Sequence, residues 1–203
     1  MHALESLTKF LKGESNGDDT YISQIREKLP DEKDVKAFAL RLVIHYAGDI
    51  HQPLHDAAEV DETYPEGDRG GNDEKIKPID GVSNMHAVWD SVIYEYIDGP
   101  SPPLSSKDWD WFTSETEKLA EKYPIEEKSI EDGQFSTWAK EELEIAINYA
   151  YADFSDPVTD EYKAKVKPVL ERSIMLGGAR LYHIILDIFG QNSEVEVSPE
   201  LFL

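Results

Sequence analysis

The chain has 203 residues and a formal net charge of −22, from 20 Lys and Arg against 42 Asp and Glu residues. Such a charge argues against a nucleic-acid packaging protein, because that role depends on basic patches that neutralise phosphates. Without cysteine there is no disulfide, thiolate zinc site or cysteine nucleophile, and no apolar run approaches the roughly 18 residues of a membrane-spanning helix.

The hydrophobic pattern predicts helices almost throughout, and therefore an all-α fold in a single domain over 1–203. A short helix over 2–12 comes first, and 22–29 adds a weaker one. Pro30-Asp31 opens a stronger helix, and Pro53 ends or bends it. Its apolar stripe is Val35, Phe38, Ala39, Leu42, Val43 and Tyr46.

Residues 56–82 contain repeated Gly and Pro and predict a long loop. A connection of more than about 15 residues inside a compact domain is usually functional or disordered. Ser83 is expected to cap a helix that runs to about Ile97. Further helices are predicted over about 106–122, 135–152 and 159–189. Pro168 is expected to kink or divide the last of them, a central core helix.

Histidine is concentrated between residues 45 and 86. His45 and Asp49 lie four residues apart, as do His86 and Asp90, so in a helix each pair can reach one ion. With His55, these residues offer three imidazoles and two carboxylates, which suit a divalent metal and zinc above all. Five ligands exceed the three that one catalytic zinc needs. The set therefore predicts two or more ions, bridged by Asp49 or Asp90, and metal-assisted phosphoester hydrolysis.

Several neighbouring residues favour simpler interpretations. His51 is predicted to support the site or lie on the surface, because Pro53 spoils the helical geometry that ligation would need. His183 is predicted to lie at the core edge with a hydrogen-bond partner. The run 68–72, Asp-Arg-Gly-Gly-Asn, predicts a tight turn, with amides and an Arg near a phosphate as the alternative. The aromatic residues Trp89, Trp138, Tyr149 and Tyr151 are predicted to be core rather than base-stacking residues.

The same residues resemble the class I zinc-dependent nucleases, which include fungal single-strand nucleases and plant bifunctional nucleases. The family signature is His-x-x-Gly-Asp-x-x-Gln-Pro-Leu-His, then Gly-Gly-Asn, then Asn-Leu-His-x-x-Trp-Asp. This chain has the first string at 45–55, Gly-Gly-Asn at 70–72 and Asn-Met-His-Ala-Val-Trp-Asp at 84–90. The resemblance covers about residues 30–190 and includes Gly-Gly-Ala-Arg-Leu at 177–181.

This resemblance implies a multi-helix bundle related to bacterial zinc phospholipase C, with up to three zinc ions. By position, His55, His86 and Asp90 would hold one zinc. His45 and Asp49 would contribute to a zinc pair, with Asp49 as the bridging, catalytic residue. The substrate would be single-stranded DNA or RNA, cleaved to 5′-mononucleotides, and some relatives also remove 3′-phosphates. No membrane partner is implied.

The family's remaining zinc ligands, which begin with an N-terminal Trp, lie upstream of the matched region. We therefore expect an N-terminally truncated member, in preference to a short member that has lost catalysis. It has one complete set of side chains for zinc, and we expect that it needs the missing part for hydrolysis. The family implies a secreted or lysosomal/vacuolar location. The start of this chain, Met-His-Ala-Leu-Glu, lacks the basic and apolar regions of a signal peptide.

Three alternatives remain open at this point. The His55-Asp56 doublet resembles the metal-binding pattern of His-Asp phosphohydrolases, although that reading leaves His86 and Asp90 unexplained. The phospholipase C relationship allows a lipid phosphodiesterase. A metal-stabilised helical binding module without catalysis is the non-enzyme hypothesis.

Overall fold

The computed structural model describes residues 2–16, 19–131 and 134–190. Helices dominate this part of the chain, and the predicted all-α class is confirmed. The helices are α1 His2–Lys12, α2 Thr20–Lys28, α3 Glu32–Asp49, α4 Met85–Asp90, α5 Ser106–Lys122, α6 Glu127–Glu131, α7 Phe135–Ile145 and α8 Asp160–Phe189. A 3₁₀ turn, Pro53–His55, follows α3, and a π-helical turn, Ala146–Ala150, extends α7. An antiparallel hairpin joins β1 Lys75–Ile79 to β2 Val82–Asn84.

The predicted helix from Ser83 to about Ile97 is wrong at both ends. Ser83 belongs to β2, because the preceding loop forms the hairpin and pairs this segment. The cap is Asn84, whose side chain accepts a hydrogen bond from the backbone N–H of Ala87 at 2.8 Å. Helix α4 ends at Asp90, since Val92, Ile93 and Tyr94 have φ of 51°, 56° and 70°, which no right-handed helix can contain. The result is a short helix that presents His86 and Asp90 on one side.

Pro168 does not divide the last helix, because α8 is one helix of 30 residues. Val166 and Leu170, on either side of the proline, are buried in the core. Their burial offsets the backbone hydrogen bond that proline cannot donate. Buried residues of α8 belong to both hydrophobic clusters of the protein, so its predicted place at the centre of the core is confirmed.

The hydrophobic core has two parts. The first holds buried residues of α1, α2, α3, the start of α7 and the end of α8. The second holds the hairpin, α4, the π-helical turn and the first half of α8. Ile50 belongs to the first cluster and Leu54 to the second. The turn after α3 therefore lies where the two parts of the core meet.

Helix α3 begins where Asp31 accepts a hydrogen bond from the backbone N–H of Lys33 at 2.7 Å, close to the predicted start. Of its predicted apolar stripe, Val35, Ala39 and Val43 are buried, whereas Phe38 is 41% exposed. Within the described ranges, no helix is both long enough and apolar enough to cross a membrane.

Candidate metal centre

Residues from two distant segments meet beside the turn that follows α3. His55, His86 and Asp90 each offer one ligand atom, and these atoms all lie within 4.8 Å of one another. The rings of His55 and His86 stack with centroids 5.1 Å apart. In the part of the chain that the structure describes, this is the one group of three or more His, Asp or Glu residues with such geometry. It is also the set that the resemblance assigns to a single zinc.

Local capping places these side chains. The carboxamide of Gln52 accepts a hydrogen bond from the backbone N–H of Leu54 at 2.7 Å, which closes the 3₁₀ turn that ends in His55. Asn84 caps α4, so that His86 stands in its first turn and Asp90 at its end. The i,i+4 spacing brings His86 Nε2 within 3.5 Å of Asp90 Oδ2, as helical geometry predicts.

Two further hydrogen bonds orient the proposed ligands. His86 Nδ1 lies 2.7 Å from the carbonyl oxygen of Gly70. A carbonyl only accepts, so Nδ1 carries the proton and Nε2 presents its lone pair to a cation. Asp90 Oδ1 accepts a hydrogen bond from Gln52 Nε2 at 2.9 Å, and Oδ2 is the oxygen nearer His86. Hydrogen bonds of this kind behind the ligands are typical of metal sites.

Asp49 lies between two imidazoles at the side of this group. Its Oδ1 is 3.5 Å from Nδ1 of His55, and its Oδ2 is 3.2 Å from Nε2 of His45. The side chain of His45 is 66% exposed. The structure thus brings His45 and Asp49 next to the candidate centre without including them in the group of three. Their role as ligands of further ions stays a prediction.

The Gly-Gly loop is organised around Asp68, a residue to which the sequence analysis gave no role. Asp68 is fully buried, with 0% exposure. Its carboxylate accepts hydrogen bonds from the N–H groups of Gly70 (3.0 Å), Gly71 (2.7 Å) and Glu59 (2.9 Å), and from the Tyr151 hydroxyl (2.9 Å). The glycine amides therefore bind a carboxylate of the chain itself, and the alternative in which they hold a phosphate is wrong. The sequence signal for this role was an Asp two residues before Gly-Gly.

Gly70 connects this loop to the metal centre. Its φ is +65°, and a Cβ at this position would overlap the carbonyl oxygen of Leu54. Only glycine permits both the backbone conformation and the close approach. The loop can therefore pack on the turn that carries His55, and the Gly70 carbonyl is held where His86 donates to it.

Three of the candidate ligands, Asp49, His55 and His86, line an open cleft of about 600 Å³. Arg69 also lines this cleft, and its side chain is largely exposed. A divalent ion and Arg69 would together give the cleft positive charge within an acidic protein. The arrangement suits an anionic substrate.

A family comparison agrees with this geometry. The family described as "S1/P1 Nuclease" matches residues 16–190, which include every proposed ligand. The chain belongs to the S1/P1 nuclease family. This confirms the resemblance that the spacing of His, Asp and Gly-Gly-Asn indicated.

Curated members of the S1/P1 nuclease family are similar over most of this chain. Endonuclease 3 of Arabidopsis thaliana is 30% identical over 164 residues, which cover 74% of this chain and 51% of the relative. Endonuclease 5 of the same plant has the same identity and coverage. Nuclease S1 of Aspergillus oryzae is 29% identical over 161 residues, or 70% of this chain and 51% of the relative. The chain thus spans about half the length of these relatives.

The remaining sequence predictions near the centre have mixed outcomes. His51 is buried rather than on the surface, and it contacts Arg180. His183 is exposed, and its ring lies edge-on against Tyr182. Its predicted position at the core edge is therefore wrong, because this residue lies on the solvent-facing side of α8. The aromatic residues are confirmed as packing residues: Trp89 and Trp138 are buried, and Tyr149 and Tyr151 are partly buried.

Two carboxyl groups of this S1/P1 family member are partly or fully withdrawn from water: Asp56, which lines the cleft, and Glu142 of α7. Burial raises the pKa of Asp56 to about 7, and its Oδ2 is a buried atom with no hydrogen-bond partner among the described residues. Glu142 is 1% exposed and accepts a hydrogen bond from the Ser173 hydroxyl at 3.1 Å. Burial raises its pKa to about 8, and the nearby Asp56 adds to the increase. Glu142 therefore keeps its proton at neutral pH.

Glu142→Gln is expected to change how stability depends on pH. Between the ordinary pKa of 4.5 and about 8, the unfolded chain releases the Glu142 proton while the folded chain keeps it, so the folded state loses stability as pH rises. Glutamine cannot ionise. The variant should match the parent near pH 4 and exceed it at pH 8.5 by on the order of 3 kcal/mol in free energy of unfolding.

Urea denaturation of the parent and the variant at pH 4, 6.5 and 8.5 measures this difference. Glu144→Gln is the matched control, because Glu144 is exposed on the same helix and should show no such trend. An equal effect of Glu142→Gln at every pH would contradict the raised pKa.

Proposed function

We propose that this chain carries the metal centre of a zinc-dependent endonuclease that hydrolyses single-stranded DNA or RNA to 5′-mononucleotides, with removal of 3′-phosphates as a further activity. The observation that supports it most is the group His55, His86 and Asp90, whose ligand atoms lie within 4.8 Å of one another. The similar proteins of Arabidopsis thaliana and Aspergillus oryzae are named endonucleases and a nuclease.

The donor set fits zinc. Two imidazoles and one carboxylate are the protein ligands of many catalytic zinc sites, in which the fourth position stays open. Calcium and magnesium prefer oxygen ligands alone. His86 presents Nε2 because its Nδ1 donates to the carbonyl oxygen of Gly70, and Asp90 accepts a hydrogen bond from Gln52. The ligands would thus need little rearrangement to bind the ion.

In this proposal, His55, His86 and Asp90 hold one zinc ion, while His45 and Asp49 take part in binding further ions. A zinc ion held by these residues would supply Lewis-acid chemistry, which can polarise a phosphoryl oxygen and lower the pKa of a bound water. Asp49 is the proposed catalytic residue, because it lies between His45 and His55 at the edge of the group. Arg69 would attract the phosphate through its charge.

A zinc-binding measurement tests the centre itself. Purified chain should bind zinc in calorimetric titration, and His86→Ala or Asp90→Asn should weaken the tightest site by about 100-fold or more, since each removes a direct ligand. His183→Ala is the control, because His183 is exposed on α8 and outside the group. Equal affinity in His86→Ala and the parent would exclude this site.

A cleavage assay tests the reaction. A longer protein that contains this chain and the upstream part of the family should release 5′-mononucleotides from single-stranded DNA or RNA when zinc is present. Phosphatidylcholine is tested in parallel, because hydrolysis of the lipid alone would favour the lipid phosphodiesterase. Stoichiometric zinc binding with no cleavage of either substrate would instead support the binding module.

The geometry counts against the His-Asp phosphohydrolase alternative. That reading needs Asp56 as a ligand beside His55, but Asp56 does not belong to the group of three. Asp90, by contrast, lies next to His86.

A further inference from the structure

A buried polar cluster lies behind the turn that joins Asp49 to His55. We name it the Arg180 cluster; its members are Arg180 of α8, His51 of the turn, and Trp138 and Glu141 of α7. Arg180 is 1% exposed and His51 is 4% exposed. A buried guanidinium is costly to desolvate, so its contacts must compensate. The ligand group does not include any of these residues.

His51 joins the end of α3 to Arg180. Its Nδ1 lies 2.7 Å from the carbonyl oxygen of Ala47, and since a carbonyl only accepts, Nδ1 carries the ring proton. Its Nε2 is therefore an acceptor and receives a hydrogen bond from an Nη atom of Arg180 at 3.1 Å. Both ring nitrogens are used, so the orientation of the imidazole is defined from two sides.

Arg180 is fixed independently of His51. Its other Nη donates to Glu141 at 2.7 Å, and its Nε donates to the carbonyl oxygen of Ser129 at 3.1 Å. The guanidinium also stacks over the Trp138 ring, 4.7 Å from the centroid. These contacts come from α6 and α7, so Arg180 forms a rigid anchor for the imidazole.

Helix α8 contacts His51 directly at Gly177, one turn before Arg180. A Cβ on Gly177 would lie 2.9 Å from Cγ of His51, which is too close for any other residue without displacement. The His51 ring thus packs against the backbone of α8 at Gly177, while its two hydrogen bonds hold it to Ala47 and Arg180. Movement of the turn would therefore displace His51 from these contacts.

The turn carries the metal centre. His51 stands two residues after Asp49 and four before His55, and the next residue, Gln52, donates to Asp90. We propose that Arg180, acting through His51, is a positioning residue that holds this turn so that the zinc ligands are preorganised. The inference rests on the proposed zinc centre. Arg180 itself lies behind the ligands and holds no ion.

Cobalt binding tests the proposal, because the visible spectrum of Co²⁺ reports ligand geometry apart from overall stability. Arg180→Lys keeps the charge but loses the planar fork that binds His51 and Glu141 together. It is expected to weaken Co²⁺ affinity by about 10–100-fold and to change the absorption spectrum. Ile188→Ala, a core truncation on the same helix, should lower Tm while affinity and spectrum stay unchanged.

A second measurement uses the unmodified chain, in case the variant does not fold. In ¹⁵N NMR, saturating Zn²⁺ should shift the ring nitrogens of His51 and slow the exchange of the Arg180 guanidinium protons, because coupling between the two sites is reciprocal. Unchanged Arg180 signals, or an Arg180→Lys variant with parental affinity and spectrum, overturn the proposal. If the parent binds neither Co²⁺ nor Zn²⁺, the zinc centre itself has failed.

Discussion

Gly70→Ala is expected to lower the free energy of unfolding by about 3 kcal/mol or more and to weaken zinc binding. The φ of +65° is unfavourable for alanine, and the new Cβ would overlap the Leu54 carbonyl oxygen and lie 3.2 Å from that of Ala57. The loop would have to withdraw from the turn that carries His55. The Gly70 carbonyl that orients His86 would move with it. Urea denaturation and zinc calorimetry measure the two effects.

Gly81→Ala is the matched control for this substitution. Gly81 also has a positive φ, of +88°, but nothing lies within 4 Å of the position of a Cβ. Its replacement should therefore cost only the backbone strain of about 1–2 kcal/mol and leave zinc affinity unchanged. Equal losses of stability in the two variants would show that the close approach at Gly70 does not matter.

Asp68→Ala is expected to be similarly severe, with a loss of about 4 kcal/mol or more in free energy of unfolding. Three backbone N–H groups and the Tyr151 hydroxyl would lose their common acceptor. Each buried group left without a partner costs about 1–3 kcal/mol. In the parent, burial and the hydrogen bond to Asp68 raise the pKa of Tyr151 well above its usual range, so the hydroxyl stays neutral and donates to the carboxylate.

Thermal and urea denaturation of Asp68→Ala should be compared with Asp98→Ala, which removes an exposed carboxylate and should change stability by less than about 0.5 kcal/mol. Tyr151→Phe removes only the hydrogen bond from the Tyr151 hydroxyl to Asp68. It is expected to lower the free energy of unfolding by about 1–2 kcal/mol. If Asp68→Ala were no more destabilising than Tyr151→Phe, the amide contacts would not support the loop.

Gly70 and Asp68 are not ligands themselves, but they support the loop that orients a proposed ligand, and their substitution should therefore affect metal binding. The Gly-Gly loop fixes His86 through Gly70, and Gln52 fixes Asp90. A metal site tolerates little change in such contacts because they set the direction of each ligand. Stability and zinc affinity are therefore expected to fall together in Gly70→Ala and Asp68→Ala.

Much of the fold was predictable from local pattern. The helices over 2–12, 106–122 and the start of α3 follow from apolar spacing and capping residues, which act within a few residues. The predicted helix after Ser83 failed because the hairpin uses that segment and because Val92 to Tyr94 adopt positive φ. Pro168 was predicted to kink or divide the last helix, and the division does not occur because tertiary packing outweighs the local cost of proline.

The sequence by itself determined the two His-Asp pairs, because i,i+4 spacing in a helix brings side chains together wherever the helix lies. The tertiary structure brought His55 and His86 together, as the family resemblance had implied, and it alone excluded Asp56 from the group. It alone revealed the bonds of Asp68 to Tyr151, 83 residues apart, and of His51 to Arg180, 129 residues apart. Such contacts have no local signature, since their partners meet only when the two parts of the core pack around α8.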